Sequence, residues 1–165
     1  KKLLIVVDYQ NDFIDGALGF PGAEKLSPII AGKIKKARAD GTDVIFTLDT
    51  HGENYPETSE GRHLPVPHCI KGTKGHELRE EIKALVDGSP ELVYACFYIL
   101  RGSGCTDIEL CGLVTDICVV SNAIIAKTAL PEANVTVDSA AVASFDKAKN
   151  DAALEVMKSV QVNVV

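Results

Sequence analysis

The chain has 165 residues, of which 46% are hydrophobic and 24% are charged, which is typical of one globular domain with a sizeable core. The net charge of −6 and the pI near 5.2 argue against a nucleic-acid partner, because a phosphate-binding surface needs clustered Lys and Arg. No apolar run approaches the roughly 18 to 20 residues that a membrane span requires, so we expect a single cytoplasmic domain over residues 1–165 with no membrane partner.

Short β-branched runs alternate with stretches of helical period along the whole chain. The predicted strands cover 3–8, 44–49, 92–99, 108–114, 135–140 and 160–165, and the predicted helices cover 24–40, 75–86, 117–130 and 146–158. The strands are unbroken apolar runs, which indicates burial on both faces and therefore a parallel sheet with helices on each side. Gly41 is expected to end one helix and Asp146 to cap another.

The loop over residues 49–75 is longer than most connections in α/β units, and long loops tend to carry function. It begins at Asp49 and holds three of the four histidines, with the fourth at its edge. The pattern Asp49-x-His51, followed by His68, offers one carboxylate and two imidazoles, a donor set suited to zinc or another divalent ion. Loop histidines that bind nothing are the alternative.

Cysteine usage indicates reduced thiols. The five cysteines are odd in number and form no CxxC pair, and a chain of this size does not need disulfides. Cys118 follows the apolar strand 108–114 and lies in the first turn of a predicted helix, where unpaired N–H groups favour a thiolate. The alternative is that Cys118 is a small buried hydrophobe, which is our interpretation of Cys111 within the strand.

Asp8 closes the first predicted strand and precedes the polar string YQNDF. A partly desolvated carboxylate at a strand end makes a good general base, and beside a thiol it could take the proton and later return it. The alternative is an Asp that caps the loop, and we interpret Asp12 in that structural way. The chain has no GxGxxG after the first strand, no GxxxxGK[ST] and no GxSxG, so dinucleotide, P-loop and α/β-hydrolase functions lack their motifs.

Several segments together resemble the isochorismatase-like cysteine hydrolases and, within them, the nicotinamidases. They are 6-VVDYQNDFIDGALGFPGAE-24, 45-IFTLDTH-51, 66-VPHCIKGTKGHEL-78 and 109-ELCGLVTDICVVSNAI-124. They span most of the chain in the family's order. The resemblance implies a three-layer α/β/α fold with a six-stranded, mostly parallel sheet in the order 3-2-1-4-5-6, and assembly into a homo-oligomer.

The resemblance also assigns roles to residues. It places the catalytic acid-base on Asp8 and the nucleophile on Cys118. It implies a cis peptide bond between Leu113 and Val114, with the N–H groups of Val114 and Cys118 forming the oxyanion hole. Phe13 corresponds to an aromatic wall for a flat substrate. The ligands of a divalent metal, which the resemblance implies to be zinc, fall on Asp49, His51 and His68.

The chain departs from the family pattern in two places. The family carries a Lys shortly after the third strand, but 93-VYACFYILRGSGCTDIEL-110 contains none. This lysine is either lost or absent from an incompletely recorded segment. Nicotinamidases commonly carry a Trp three residues before the last metal histidine, where this chain has Pro65.

The sequence therefore predicts a cysteine-dependent amidohydrolase that converts a small amide, such as nicotinamide, to the acid and ammonia through a thioester. Two alternatives stay open: a hydrolase of the same fold acting on a carbamoyl or vinyl-ether substrate, and a catalytically silent relative that binds a ligand. The exact substrate and the metal are not determined by the sequence.

Overall fold

A computed structural model describes residues 1–86, 88, 91–92 and 99–165 of the chain. Its centre is a parallel sheet of six strands in the order β3-β2-β1-β4-β5-β6. The strands are β1 (Lys2–Val7), β2 (Asp43–Thr47), β3 (Glu91–Leu92), β4 (Asp107–Leu113), β5 (Asn134–Ala143) and β6 (Asn163–Val164). The predicted α/β class and strand order are confirmed.

Helices cover both faces of the sheet. They are α1 (Asn11–Ile14), α2 (Leu26–Ala39), α3 (Ser59–His63), α4 (Glu80–Lys83), α5 (Val120–Ala129) and α6 (Lys147–Ser159). Short 3₁₀ turns precede α2 and α3, at Ala23–Lys25 and Tyr55–Glu57, and a π-helical turn over Thr115–Val119 leads into α5. As expected, Gly41 takes a left-handed φ of 70° just after α2, and the Asp146 side chain caps α6.

The alternation of side chains along β1 divides the core into two clusters. Leu4 and Val6 pack with residues of α1 and α2 on one face, while Leu3, Ile5 and Val7 pack with residues of α5 and α6 on the other. Each of these side chains is almost fully buried and contributes roughly 1.5–3 kcal/mol to folding. The central strand is thereby fixed, and so is the position of the residue that follows it.

Two predicted elements differ from the structure. Within the predicted helix 75–86, only Glu80–Lys83 is helical, because residues 74–79 instead form a turn whose main chain bonds to residues 9–12. Of the predicted strand 92–99, Leu92 lies in β3 and Ile99 is helical, while residues 93–98 lie outside the described residues. Among the described residues, no helix is long and apolar enough to cross a membrane.

The site-bearing residues lie at the carboxyl edge of the sheet. β1 pairs with β2 on one side and with β4 on the other, so the strand order reverses at β1. Open parallel sheets bind ligands beyond the strand ends at such a point. Asp8 follows β1, Asp49 follows β2 by two residues, and Val114 follows β4.

Candidate active site

Asp8 is buried directly after β1, with 6% of its surface exposed. Its backbone is left-handed, with φ at 41°, and its N–H donates to the carbonyl oxygen of Thr47 at the end of β2, at 3.2 Å. The carboxylate accepts a hydrogen bond from the Thr47 hydroxyl, and the Cys118 thiol lies beside it. Burial raises the pKa of Asp8 to about 6, against the lowering effect of the Thr47 hydroxyl and the Cys118 thiol. A carboxyl group with that pKa can exchange protons near neutrality.

Cys118 lies in the π-helical turn after β4 and is partly exposed. Burial, followed by the negative charge of Asp8, raises the pKa of the Cys118 thiol, and the Val114 N–H, which donates to the sulfur, lowers it only in part. Our expectation that the helix start favours a thiolate is therefore wrong for the free site. The raised pKa favours the protonated thiol, which lies beside the Asp8 carboxylate.

The backbone between β4 and the π-helical turn brings these two groups together. A cis peptide bond joins Leu113 to Val114, at the position that the resemblance implied, and both residues are buried. Gly112 has a φ of 122°, and a Cβ there would lie 2.0 Å from the carbonyl oxygen of Val7. Only glycine allows β4 to approach the end of β1 so closely, which places Cys118 beside Asp8.

Asp49, His51 and His68 converge on one point. Their potential ligand atoms lie within 4.8 Å of one another. The Asp49 Oδ2 atom is 3.0 Å from His51 Nε2 and 3.1 Å from His68 Nε2. The His68 Nδ1 atom lies 2.8 Å from the Val66 carbonyl oxygen, so it can donate there and leave Nε2 for a metal. One carboxylate with two imidazoles fits a divalent transition metal such as zinc and leaves coordination positions open.

The charges of this cluster shift the pKa values of its members. Burial opposes ionisation of Asp49, but the neighbouring His68 and His51 imidazoles outweigh it and hold the pKa of Asp49 below its usual range. Burial acts to lower the pKa of His68, and the hydrogen bonds to Asp49 and the Val66 carbonyl overcome it and raise that pKa. The Asp49 charge also raises the pKa values of Asp8 and Cys118, so the cluster and the thiol pair share one electrostatic environment.

Aromatic rings enclose the two imidazoles. The Tyr55 ring contacts His51 and His68 edge-on, with ring centroids 4.6 Å and 5.1 Å apart. The Phe13 ring, 5% exposed, lies 5.6 Å from the His68 ring, so the predicted substrate wall borders the metal cluster. Pro65, which replaces the family's Trp, is exposed.

Sequence reasoning missed the roles of four residues around the site, although it named Asp12 as a structural residue that caps a loop. Thr47 bonds Asp8, Gln10 and Asp12 bond the backbone of the loop that carries the metal cluster, and Glu60 places its Oε1 atom 3.7 Å from His51 Nε2 and 3.9 Å from His68 Nε2. A signal existed for two of them, since Gln10 and Asp12 belong to the polar string that follows Asp8. Neither Thr47, inside an apolar strand, nor Glu60, on the exposed side of the short helix α3, stands out in the sequence.

The position of the family's lysine falls largely within residues 93–98, which lie outside the described residues. The sequence of the whole segment 93–110 contains no lysine. The other predicted site residues, Asp8, Phe13, Asp49, His51, His68, Leu113, Val114 and Cys118, are all described and lie at the same edge of the sheet.

Comparison with known proteins agrees with this geometry. Residues 2–165 match the family model of the isochorismatase domain. The chain is 32% identical to the uncharacterised isochorismatase family protein PncA of Bacillus subtilis, over 89% of this chain and 88% of that protein. It is 29% identical to the nicotinamidase/pyrazinamidase of Mycobacterium tuberculosis, over 99% of this chain and 98% of the relative.

A solved structure has the same fold. The pyrazinamidase of Pyrococcus horikoshii in complex with zinc superposes with a TM-score of 0.82 at 30% identity, covering 99% of this chain and 98% of that one. The family model covers nearly the whole sequence, and the fold and the segments at the carboxyl edge of the sheet agree with it. This chain belongs to the isochorismatase family.

Proposed function

We propose that the protein is a nicotinamidase-like amidohydrolase that cleaves the C–N bond of a small aromatic amide. The observation that carries the proposal is the Cys118 thiol beside the buried Asp8 carboxylate, where each group shifts the pKa of the other, next to the Asp49, His51 and His68 cluster. The nicotinamidase and pyrazinamidase relatives support the choice of substrate class.

In the first half-reaction, Asp8 takes the thiol proton while the Cys118 sulfur attacks the carbonyl carbon of the amide. The oxygen becomes negatively charged and accepts hydrogen bonds from the N–H groups of Val114 and Cys118. Such donors typically contribute about 2.7–4 kcal/mol each to catalysis. The tetrahedral intermediate then collapses, the C–N bond breaks, and Asp8 gives its proton to the leaving nitrogen. The products are ammonia and a thioester on Cys118.

In the second half-reaction, Asp8 removes a proton from water as the water oxygen attacks the thioester carbon. Collapse of this intermediate breaks the C–S bond, and the proton on Asp8 returns to the sulfur. The carboxylic acid leaves, and the thiol and carboxylate return to their starting states. One carboxylate serves as base and acid in both halves, which requires the intermediate pKa that its burial provides.

Asp49, His51 and His68 would hold a divalent metal, for which zinc is the first candidate, because a relative binds zinc. A bound zinc ion supplies a fixed positive charge and a Lewis acid that orient the substrate. Phe13 borders the cluster and would pack against the flat face of the substrate ring. Assembly into a homo-oligomer, a single domain over residues 1–165, a cytoplasmic location and the lack of a nucleic-acid partner stay predictions from the sequence.

An ammonia-release screen tests the proposal. Zinc-loaded protein is incubated with nicotinamide, pyrazinamide, benzamide and an N-carbamoyl amine, and Cys118→Ala is compared with Cys111→Ala, which removes a thiol buried in β4. We expect release from the aromatic amides, loss of at least about 1,000-fold in kcat for Cys118→Ala, and activity retained by folded Cys111→Ala. Ammonia release only from the carbamoyl compound would favour a hydrolase of the same fold that acts on carbamoyl substrates. No release from any compound would favour a catalytically silent relative that binds a ligand.

A further inference from the structure

We propose that Asp12 is a positioning residue for the metal cluster: its carboxylate holds the backbone that carries His68 and His51, while Gln10 holds the backbone of Asp49. The inference rests on the metal site of the proposed function. It assigns a role to two side chains that take no part in the reaction.

The Asp12 carboxylate bonds to the residue after His68. Its Oδ2 atom accepts a hydrogen bond from the Cys69 N–H at 2.7 Å, and its Oδ1 atom accepts one from the Ala17 N–H at 3.1 Å. Cys69 is fully buried, and its φ of 46° lies in the left-handed region that residues other than glycine rarely adopt. The bond to Asp12 therefore fixes the peptide unit between His68 and Cys69 in a conformation that the chain would not favour by itself.

Cys69 passes this constraint to a second ligand. Its carbonyl oxygen accepts the His51 N–H at 3.0 Å, and the His51 carbonyl accepts the Lys71 N–H at 2.9 Å. The backbones of His51 and His68 are thus joined through Cys69, and Cys69 is held by Asp12. A shift of the Asp12 carboxylate would change the distance between the two imidazoles.

Gln10 fixes the third ligand in a similar way. Its side chain, fully buried, accepts the Asp49 N–H at 2.8 Å and donates to the Asp49 carbonyl at 2.9 Å and the His76 carbonyl at 2.7 Å. Gln10 and Asp12 follow Asp8 by two and four residues. The segment after the catalytic carboxylate therefore sets where the metal ligands stand relative to it.

The space around the Asp12 carboxylate is shaped to hold it. A Cβ at Gly75 would lie 2.1 Å from Asp12 Oδ2, and a Cβ at Gly16 would lie 2.3 Å from Oδ1. Both distances are far shorter than van der Waals contact, so both glycines are needed to seat this group. The two carboxylate oxygens can each accept a hydrogen bond from one of the two N–H groups here. The amide of Asn would instead place its own NH₂ group against one of these donors.

Zinc affinity separates this role from a purely structural one. The wild-type protein, its Asp12→Asn variant and the control Asp15→Asn are titrated with zinc against a chromogenic chelator. The absorption spectrum of bound Co²⁺ reports the ligand geometry. Asp15 is a matched control, because its carboxylate is in the same segment but bonds Arg79 on the surface. We expect Asp12→Asn to weaken zinc binding about 10- to 100-fold and to change the Co²⁺ spectrum, as loss of an outer-shell partner typically does.

A double-mutant cycle tests the path through Cys69. Glycine adopts a φ of 46° without cost, so the loss caused by Asp12→Asn should be smaller in a Cys69→Gly background than in the wild type. An equal loss in both backgrounds would count against the path.

A folded Asp12→Asn protein with wild-type zinc affinity and spectrum overturns the proposal. If Asp12→Asn does not fold, Gly75→Ala displaces the carboxylate while keeping its charge, and wild-type affinity in that variant overturns the proposal equally. His51→Ala identifies the other failure: if it binds zinc as well as the wild type, the metal site of the proposed function is wrong.

Discussion

At the scale of single residues, Asp8 and Cys118 act as one unit that shares a proton. A helix N-terminus favours an anion by about 0.3–1 kcal/mol, and on that basis the sequence indicated a thiolate. Burial and the adjacent carboxylate act in the opposite direction and prevail. In the proposed mechanism, the nucleophile therefore forms by proton transfer to Asp8 during attack, and we expect the protonation state of Asp8 to control the reaction.

The pH dependence of kcat/KM should show this control. Asp8 must be ionised to accept the thiol proton, so kcat/KM is expected to fall as pH drops through the pKa of Asp8, which is about 6 in the metal-free site. Positive charge from a bound ion moves this midpoint lower. Because the Thr47 hydroxyl lowers the pKa of Asp8, Thr47→Val should move the acid limb of the profile to higher pH. An acid limb that Thr47→Val leaves in place would assign it to another group.

The same pKa predicts a gain in stability when Asp8 is neutralised. The folded state raises this pKa from 3.8 to about 6, so the folded protein binds the proton more tightly, and the associated stability is present below about pH 4 and lost as pH rises through 6. Asn cannot ionise. Metal-free Asp8→Asn should therefore be more stable than the wild type at pH 8, by up to about 3 kcal/mol, and the gain should vanish near pH 4.

Urea unfolding at the two pH values measures this difference, with Asp15→Asn as the exposed-carboxylate control. If Asp8→Asn is less stable than the wild type at pH 8, the ionised Asp8 carboxylate does not lower the stability of the folded protein.

At the scale of elements, α3 brings a second carboxylate close to the cluster of Asp49, His51 and His68. The helix begins at Thr58, whose hydroxyl accepts the Gly61 N–H at 2.9 Å. Gly61 packs so tightly that a Cβ would lie 2.0 Å from the Tyr55 carbonyl oxygen. Tyr55 in turn packs on both imidazoles. The Glu60 carboxylate on this helix is therefore held near the two Nε2 atoms.

Glu60→Gln should consequently weaken zinc binding. A second carboxylate neutralises the divalent ion, whereas an amide does not, so we expect a loss of about tenfold or more in zinc affinity. The comparison is Glu57→Gln, an exposed carboxylate in the preceding turn and outside the cluster. Chelator competition measures both variants, and equal affinities for the two would remove Glu60 from the ion's surroundings.

At the scale of the whole molecule, the sequence pattern predicts the parallel sheet and the family resemblance implies its strand order, but neither gives the detail of the connections. The continuous apolar run of β1 indicates burial on two faces, and both clusters contain its side chains. The predicted helix 75–86 fails because its first half forms main-chain bonds with residues 9–12, a tertiary interaction that helical periodicity does not reveal. Asp8, Asp49 and Cys118 were predictable because strand ends of a parallel sheet meet at one edge. His51 and His68 were predictable from their spacing after Asp49 in the long loop and from the family resemblance. Glu60 and Thr47 were not, since their roles arise only from packing.

The mass of the acid-quenched protein during turnover of nicotinamide tests directly whether Cys118 forms the proposed thioester. We expect one added acyl group, mapped by peptide analysis to Cys118 and absent from Cys118→Ala. Ammonia released at the wild-type rate with no acyl group on Cys118, or with the group on another residue, would contradict it.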